Sequence, residues 1–344
     1  MAESMNAYQL VSRGQPAMQR VPRPRPGPGQ VLVQVGGVAL CHTDLLLVDA
    51  AEGDFPWELP FTLGHEIAGW VAECGPNVEG LAPDDVVVLS GHTTCGTCSF
   101  CRRGADNHCS RAAGGLGFGR DGGLAEYVVV DRPSVVGPTT LDPREAAPLA
   151  DSAATPYHAV TDVLDLLVGD TVAVVLGAGG LGAYAVQLLR LMSAATVIAV
   201  DPAEHRRSYA ERLGAHVVLA PDELAGHLSQ VGDGAGADAV LDMVGNDASM
   251  AAALSAVRPL GVVSLVGAGG GATTVSWGTP PRGASLRFPL GASMTHLAGV
   301  VALAEGGDLT IDNEYFTFDQ VDQAYAALRS GSREGRIVLT PDPV

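Results

Sequence analysis

Thr171-Val-Ala-Val-Val-Leu-Gly177-Ala-Gly179-Gly180-Leu181-Gly182 is the stretch that decides the fold. An apolar run of strand character, residues 172–176, ends in four glycines, and an alanine-rich helical pattern starts at Leu181. Gly177 allows a turn with positive φ, Gly179 removes a side chain where the backbone would touch a pyrophosphate, and Gly182 allows close packing. Because the amides at a helix start favour negative charge, the stretch predicts a phosphate-binding turn.

A glycine pattern of this kind is weak alone, since a tight turn that binds nothing also fits it. The context favours binding: a second apolar run, residues 196–200, ends in Asp201, about 20 residues past the glycines, where a ribose-binding acid is expected. A carboxylate there accepts hydrogen bonds from an adenosine 2′-hydroxyl and repels a 2′-phosphate. We therefore predict NAD(H) rather than NADP(H) as the cofactor.

The region after residue 150 alternates between strand and helix patterns, which predicts a doubly wound parallel sheet covered on both faces. The turns after two of its strands, which contain Val244 and Val266, should rim the cofactor crevice. Strands are predicted at Val172–Leu176, Thr196–Val200, His216–Leu219, Ala239–Met243 and Val262–Val266, and helices at Pro202–Leu213 and Ala248–Val257.

The N-terminal region differs, because its short apolar runs are separated by frequent glycine and proline, which indicates an antiparallel, barrel-like domain. Alternation fades again after about residue 290, and the tail strand Gly335–Thr340 has no partner to pair with except the first domain. Strands are predicted here at Gln30–Val38, Glu66–Cys74, Asp85–Leu89 and Leu124–Val130, and helical structure over Pro143–Thr161 and at Met294–Glu305 and Val321–Ser330.

Composition excludes several classes of protein. The 344 residues carry a net charge of −18, which repels nucleic acid and anionic membranes. All basic side chains other than histidine are arginine, so Schiff-base and P-loop lysine chemistry are excluded. No window is long and apolar enough for a transmembrane helix, and residues 1–5 do not resemble a signal peptide, so we expect a cytoplasmic protein.

Cys95-Gly-Thr-Cys98-Ser-Phe-Cys101, followed eight residues later by Cys109, is the sharpest chemical signal. Four thiolates this close together fit a closed tetrahedral zinc site, which stabilises a fold and carries no chemistry. An iron–sulfur cluster is the weaker alternative. Cys74 lies outside this group and is expected to be an ordinary buried thiol.

The motifs Cys41-His-Thr-Asp44 and Gly64-His-Glu66, with the four-cysteine lobe and the glycine loop, resemble the zinc-dependent medium-chain alcohol dehydrogenases over essentially the whole chain. Bacterial NAD-dependent secondary-alcohol dehydrogenases resemble it most. The resemblance implies a Rossmann NAD-binding domain at 153–290 and a GroES-like, mostly antiparallel β catalytic domain at 1–152 and 291–344. The structural-zinc lobe would occupy about 91–112 of the latter.

The same resemblance implies a second zinc, catalytic, held by Cys41, His65 and Asp151 with one coordination position open. Glu66 would be a neighbour or transient ligand, and Asp44 would fix the tautomer of His65. Thr43 would take the proton of a zinc-bound alcohol while hydride passes to NAD. Many members continue this proton relay to a histidine three residues past that threonine, but Leu46 stands there in this chain.

For the cofactor, the resemblance implies contacts from Arg206 to the adenosine ribose and from His42 to the pyrophosphate. It also implies a homodimer or homotetramer built through the NAD domain, and the apolar residues 261–267 are the candidate edge strand that would pair across a two-fold axis. Its substrate pocket would be mostly apolar and would fit hydrophobic alcohols or ketones, with walls drawn from Phe55, Trp57, His92, Leu116, Phe118, Trp277, Phe288 and Met294.

The predicted activity is a reversible NAD-dependent alcohol dehydrogenase and ketone reductase reaction of the EC 1.1.1.1 kind, on small alcohols, ketones or aldehydes. Reduction of an activated C=C or C=N bond in a biosynthetic pathway is an alternative, although relatives with that activity often lack the threonine or the acid found here. A non-enzymatic cofactor-binding protein is a further alternative, against which the complete zinc-ligand set argues.

Overall fold

The computed structural model describes residues 3–51, 53–112, 114–231 and 233–341. The chain divides into two compact units, one comprising Met1–Ser152 and Ser293–Val344 and the other Ala153–Ala292. The start considered above for a signal peptide includes Met1 and Ala2, which lie outside the described residues. Within the described part of the chain, no helix is long and apolar enough to cross a membrane.

The strands and α-helices follow one another in this order along the chain. They are β1 (Ser4–Ser12), β2 (Gln15–Pro22), β3 (Gln30–Ala39), α1 (His42–Asp49), β4 (Phe61–Thr62), β5 (Glu66–Cys74), β6 (Val86–Leu89), β7 (Gly115–Leu116), β8 (Gly119–Arg120), β9 (Tyr127–Asp131), β10 (Val135–Thr139), α2 (Pro143–Ala146), α3 (Ala154–Thr161), β11 (Val172–Leu176), α4 (Gly180–Met192), β12 (Thr196–Val200), α5 (Glu204–Arg212), β13 (Val217–Leu219), α6 (Leu224–Leu228), β14 (Ala237–Asp242), α7 (Asp247–Ala256), β15 (Val257–Leu265), β16 (Ser285–Arg287), α8 (Met294–Glu305), β17 (Asn313–Thr317), α9 (Val321–Ser330) and β18 (Arg336–Thr340).

The first unit is built on a seven-stranded sheet in the order β10-β6-β5-β3-β18-β17, with β9 also pairing with β3. Its pairs are antiparallel except β17 with β18. The tail strand β18 pairs with β3 through Val338 opposite Ala39, which confirms the expectation that the chain returns to its first domain. Strand β17 beside it was not predicted from the sequence.

One hydrophobic core lies under this sheet, because the apolar residues of its strands face inward together with those of α9. Fully buried members include Leu10, Leu40, Leu63, Ile67 and Leu89. Leu40 and Leu63 immediately precede the two metal-site motifs and Ile67 immediately follows the second, so core packing fixes the backbone from which those motifs project.

The second unit is a six-stranded parallel sheet in the order β13-β12-β11-β14-β15-β16. Numbered within the unit, the strands run 3-2-1-4-5-6, which is the doubly wound order of dinucleotide-binding folds. The predicted fold class is therefore confirmed, and β11 and β12 have the predicted bounds. Parallel strands covered on both faces explain why β11 is buried at every residue.

Two predictions about elements need correction. The stretch Pro143–Thr161 is not one helix: α2 passes into a 3-10 turn at Ala147–Ala150, and α3 starts only at Ala154. Asp151 ends the 3-10 turn outside helical conformation, with φ of −140°. Residues 261–267 do not form a sheet edge either, because β16 pairs outside β15.

Candidate metal and cofactor sites

Three loops of the first unit bring Cys41, His65 and Asp151 together with Glu66. Cys41 lies between β3 and α1, His65 immediately precedes β5, and Asp151 follows the 3-10 turn. One ligand atom from each of these four residues lies within 4.8 Å of those of the other three. A thiolate, an imidazole and carboxylate oxygens within such a distance form a donor set that zinc binds.

Asp44 orients two members of this cluster. One carboxylate oxygen accepts the backbone N–H of Cys41 at 2.8 Å, and the other lies 3.2 Å from Nδ1 of His65. The second ring nitrogen, Nε2, then lies 3.7 Å from Asp151. Burial alone would lower the pKa of His65, but the charge of Asp44 and hydrogen bonds to Asp151 and Asp44 raise that pKa well above its usual value.

Glu66 is completely buried and is held by two residues that sequence reasoning missed. The Ser152 hydroxyl lies within hydrogen-bond distance of both carboxylate oxygens, at 2.8 and 2.7 Å, and Arg336 donates to one of them at 2.6 Å. Arg336 also donates to the carbonyl of Leu40 at 2.6 Å. Burial, aided by the charge of Asp151, raises the pKa of Glu66 to about 7 against the opposing charge of Arg336.

Thr43 lies in the first turn of α1, with its hydroxyl oxygen 3.4 Å from Sγ of Cys41. This places a proton-accepting oxygen beside the metal-ligand cluster. Leu46, at the position where the resemblance would lead one to expect a relay histidine, is 55% exposed. His42 is the first residue of α1 and is exposed.

The four cysteines of the predicted structural site form a second cluster in the same unit. The Sγ–Sγ distances are 3.9 Å from Cys95 to Cys101 and 3.4 Å from Cys98 to Cys101. Four sulfurs around a tetrahedral zinc at about 2.3 Å would lie roughly 3.8 Å apart, so the spacing suits that ion.

Backbone amides point at these sulfurs, which stabilises thiolates. The amide of Cys98 lies 3.3 Å from Sγ of Cys95, and that of Cys101 lies 3.5 Å from Sγ of Cys98. Hydrogen bonds from the Thr97 backbone and side chain lower the pKa of Cys95 to about 7, and that from the Cys101 backbone lowers the pKa of Cys98 to about 5. The thiolate forms of Cys95 and Cys98, which bind metal cations, are therefore favoured by the protein itself.

The lobe is also tied to the start of α8. The Asp106 carboxylate accepts the backbone N–H of Met294 at 3.0 Å, next to the N-cap residue Ser293. An acid at this end of a helix interacts favourably with its dipole. Met294, proposed above for the pocket, thus takes part in anchoring the lobe.

In the second unit the glycine loop has the geometry expected of a phosphate-binding turn. Gly177 has φ of +86°, and a Cβ there would lie 2.4 Å from Val244. A Cβ on Gly182 would lie 1.8 Å from the carbonyl oxygen of Gly177, so a side chain is excluded there too. Gly180, Leu181 and Gly182 form the first turn of α4, whose amides are available to an anion.

Asp201, at the end of β12, is buried and joins the glycine loop to the next helix. Its carboxylate accepts the amides of Ala178 and Ala203, each at 2.9 Å. Nη1 of Arg206 lies 3.8 Å from the same carboxylate. Val244 and Val266 lie in the turns after β14 and β15, and both donate backbone N–H groups to Asp242.

The predicted pocket residues are distributed over both units. Phe55 and Leu116 are buried in the first unit, Trp57 and Phe118 are half-buried there, and the Phe118 ring centroid lies 4.7 Å from that of His65. Burial lowers the pKa of His92, on which the charges of Asp151 and His65 also act. In the second unit Trp277 is fully exposed and Phe288 is 68% exposed.

Comparison with known proteins now assigns a family. Residues 27–138 match the alcohol dehydrogenase GroES-like domain, and residues 180–288 match the zinc-binding dehydrogenases. L-threonine 3-dehydrogenase of Pyrococcus horikoshii is 31% identical over 98% of this chain and 99% of its own length. The chain therefore belongs to the zinc-dependent medium-chain alcohol dehydrogenase family.

Solved structures agree. The alcohol dehydrogenase of the archaeon Aeropyrum pernix superposes with a TM-score of 0.90 at 33% identity, covering 98% of this chain and 100% of that one. Acetophenone reductase of Geotrichum candidum, in complex with NAD, gives 0.86 at 29% identity over 99% and 98%. The chain is thus an oxidoreductase of this family, and the expected cofactor classes, zinc and a nicotinamide dinucleotide, are confirmed at the family level.

Proposed function

We propose that the chain is an NAD(H)-dependent alcohol dehydrogenase that interconverts hydrophobic, mainly secondary, alcohols and their carbonyl compounds. The observation that carries this proposal is the convergence of Cys41, His65, Asp151 and Glu66, whose ligand atoms lie within 4.8 Å of one another. With Cys41, His65 and Asp151 as its ligands, a tetrahedral zinc would keep its fourth coordination position for the substrate, as in other catalytic zinc sites.

Zinc held there supplies Lewis acidity, which lowers the pKa of an alcohol hydroxyl, and the nicotinamide ring supplies a two-electron acceptor. Side chains around the metal site handle the substrate proton and orient the metal ligands. Thr43, beside Cys41, accepts the hydroxyl proton of the substrate, and Asp44 keeps Nδ1 of His65 occupied so that Nε2 faces the ligand cluster. Glu66 is held close to this cluster by Ser152 and Arg336.

For the cofactor we propose that Ala153–Ala292 is the NAD-binding domain, with Met1–Ser152 and Ser293–Val344 as the catalytic domain. Gly177, Gly179 and the first turn of α4 would receive the pyrophosphate, with the turns at Val244 and Val266 as further contacts. The buried Asp201 carboxylate would receive the adenosine ribose, with Arg206 at its side, which favours NAD over NADP.

For the substrate we propose that Trp57 and Phe118 form an apolar wall next to His65. Their rings are 6.0 Å apart, and Phe118 packs on the His65 imidazole. An apolar wall with few polar groups favours hydrophobic alcohols and ketones over polyols.

The test combines metal analysis with a turnover screen. Two zinc ions per chain are expected in the wild type and one in Asp151→Ala. Consumption of NADH is then followed with ketones, aldehydes and enones. Activity on ketones that drops roughly a hundredfold or more in Thr43→Ala and is restored in Thr43→Ser supports the proposal. Turnover of enones alone would favour reduction of activated C=C bonds, and no turnover of any carbonyl would sink the proposal.

A further inference from the structure

Aromatic rings form a continuous row from the metal-ligand cluster to Phe55, a buried ring that Arg13 covers. Starting at His65, the ring centroids are separated by 4.7 Å to Phe118, 6.0 Å to Trp57 and 5.4 Å to Phe55. Phe55 and Trp57 are stacked, with 25° between their planes. Phe55, Trp57 and Phe118 are called the aromatic row below. A displacement of Phe55 will therefore displace Trp57 and, through Phe118, change the packing beside His65.

The position of Trp57 is defined by the chain opposite it. Gly119 has φ of +81°, and a Cβ there would lie 2.3 Å from Cγ of Trp57. A side chain at Gly119 is therefore excluded on two grounds, and the indole occupies the space left free. Trp57 also meets Phe61 edge to face at 6.4 Å between centroids. The indole packs against three rings and Gly119 but remains half-buried, so its orientation also depends on how the segment that carries it is held.

Arg13 holds that segment from outside. It lies in the turn between β1 and β2, with its guanidinium carbon 4.1 Å from the centroid of Phe55. The same guanidinium donates to the carbonyl of Ala51 at 3.0 Å and to that of Phe55 at 3.3 Å. One planar group thus fixes the ring and two backbone carbonyls at once, which an ammonium group does not reproduce.

Asp54 completes the attachment, because its carboxylate accepts the backbone N–H of Ala51 at 2.7 Å. The segment between α1 and β4 is consequently tied at Ala51 and Phe55, immediately before Trp57. Arg13 contacts no proposed metal ligand, and it is not among the residues that the sequence motifs mark. Among the described residues, its guanidinium contacts fall on Phe55 and on Ala51 in the same segment.

We propose that Arg13 is a positioning residue for the substrate: through Phe55 it keeps Trp57, and with it the aromatic wall that Trp57 forms with Phe118, in a fixed orientation, and carbonyl substrates with an aryl group depend on it most. This inference rests on the proposed function for its substrate part. A flat aryl group gains offset stacking on a rigid wall, whereas a small aliphatic ketone touches little of it.

The experiment compares Arg13→Ala and Arg13→Lys with the wild-type holoenzyme. Arg23→Ala is the matched control, because Arg23 likewise lies over a ring, that of Tyr127 at 3.9 Å, and pairs with Glu3 away from the aromatic row. Reduction of acetophenone and of acetone is measured for each. We expect KM for acetophenone to rise about fivefold in both Arg13 variants, with kcat and both acetone constants little changed. Arg23→Ala should behave as wild type.

A second readout needs no turnover. The chain has three tryptophans, so 5-fluorotryptophan labelling gives resolvable ¹⁹F signals, and Trp57→Phe assigns one of them. The Trp57 signal should shift or broaden in both Arg13 variants and stay unchanged in Arg23→Ala. An unchanged Trp57 signal, or equal effects on acetophenone and acetone, would overturn the inference. Inactivity of all forms with a Trp57 shift would instead overturn the proposed function and leave the positioning role supported.

Discussion

Asp44 and Glu66 show how much of the metal site is decided by single side chains around it. Asp44 uses both carboxylate oxygens, one on the Cys41 amide and one on His65. Glu66 lies between a buried hydroxyl and a buried guanidinium. Removing one member of such a buried ionic pair leaves an uncompensated charge, which costs far more than the pair contributes. The proposed ligands are therefore pre-oriented by residues that need not touch the substrate.

Asp201 accepts hydrogen bonds that hold the glycine loop, and it is also the proposed ribose ligand. Two substitutions should separate these roles. Asp201→Ala leaves the buried amide of Ala178 without its acceptor, at about 1–3 kcal/mol, and the half-buried amide of Ala203 at a smaller cost, whereas Asp201→Asn keeps one acceptor oxygen. Both should weaken NAD and narrow its advantage over NADP, by about tenfold or more, and Asp201→Ala alone should also lower thermal stability clearly. The measurements are cofactor Kd values and Tm. Unchanged discrimination in Asp201→Asn would contradict the ribose assignment.

Among single residues, the metal ligands can be predicted from the sequence, but the residues that hold Glu66 beside them cannot. Cys41, His65 and Asp44 lie in motifs, so their types and spacing point to a metal site. Ser152 and Arg336 lie in no motif, and Arg336 reaches Glu66 only because β18 returns to pair with β3 across nearly the whole chain. Long-range pairing of this kind leaves no local pattern.

The cysteine lobe is an element held by its metal, so its loss should unfold a region. Cys98→Ser removes a thiolate that two backbone amides support. We expect one zinc fewer per chain and a Tm lower by roughly 6–12 °C, as a loss of about 3 kcal/mol in a unit of this size implies. Zinc content and calorimetry check this, with Cys74→Ser as a control outside the cluster. Full stability with one zinc lost would refute a structural role.

Helix α8 is fixed at its other end by Glu305, whose carboxylate accepts the Thr139 hydroxyl at 2.7 Å and the Thr140 amide at 2.8 Å. Hydrogen bonds from Thr139 and Thr140 lower the pKa of Glu305. Because the folded pKa is depressed, the stabilisation is complete above the unfolded value, about 4.3, and is lost as the pH falls through the folded value.

Glu305→Gln should therefore lower the free energy of unfolding at pH 7 by only about 0.5–1 kcal/mol, because the site is screened by solvent, and Tm should fall modestly. The difference from wild type should shrink as the pH drops below 4. Metal loss in acid affects both proteins, so only their difference is compared. A Tm difference that stays constant with pH would show that the charge of Glu305 is not involved.

Elements with a strong period were predictable, and those decided by partners were not. Strands β11 and β12 and helices α8 and α9 have their predicted bounds, because an apolar run or an apolar helical face sets each limit. The sequence predicts helical structure throughout the alanine-rich stretch Pro143–Thr161. The helix is interrupted around Asp151, because the Ser152 hydroxyl bonds to Glu66 and the Asp151 carboxylate lies beside His65. Strand β16, which has only three residues, gave no signal, so the sheet edge was misplaced.

At the scale of the whole molecule, the exposed apolar residues of the second unit support assembly through that unit. Among the described residues β16 is the last strand of its sheet. Leu260 in β15 is 76% exposed, and Phe288 and Leu290, just after β16, are 68% and 53% exposed. Because apolar side chains of this size next to a sheet edge are disfavoured in water, they predict an interface between copies of the chain. Two copies related by a two-fold axis would cover both edges at once.

We therefore expect the wild type to be a dimer or tetramer of the 35.2 kDa chain, and the double variant Leu260→Glu with Phe288→Glu to be smaller by at least one step of assembly. Buried carboxylates facing each other across a two-fold axis are strongly disfavoured, so the change should be complete rather than partial. Light scattering after size exclusion gives the mass of each form. Val168→Glu serves as the control, because Val168 is 69% exposed in the same unit but lies outside this sheet edge. A wild-type monomer, or an assembly that survives both glutamates, would place the interface elsewhere and leave these apolar residues without a role.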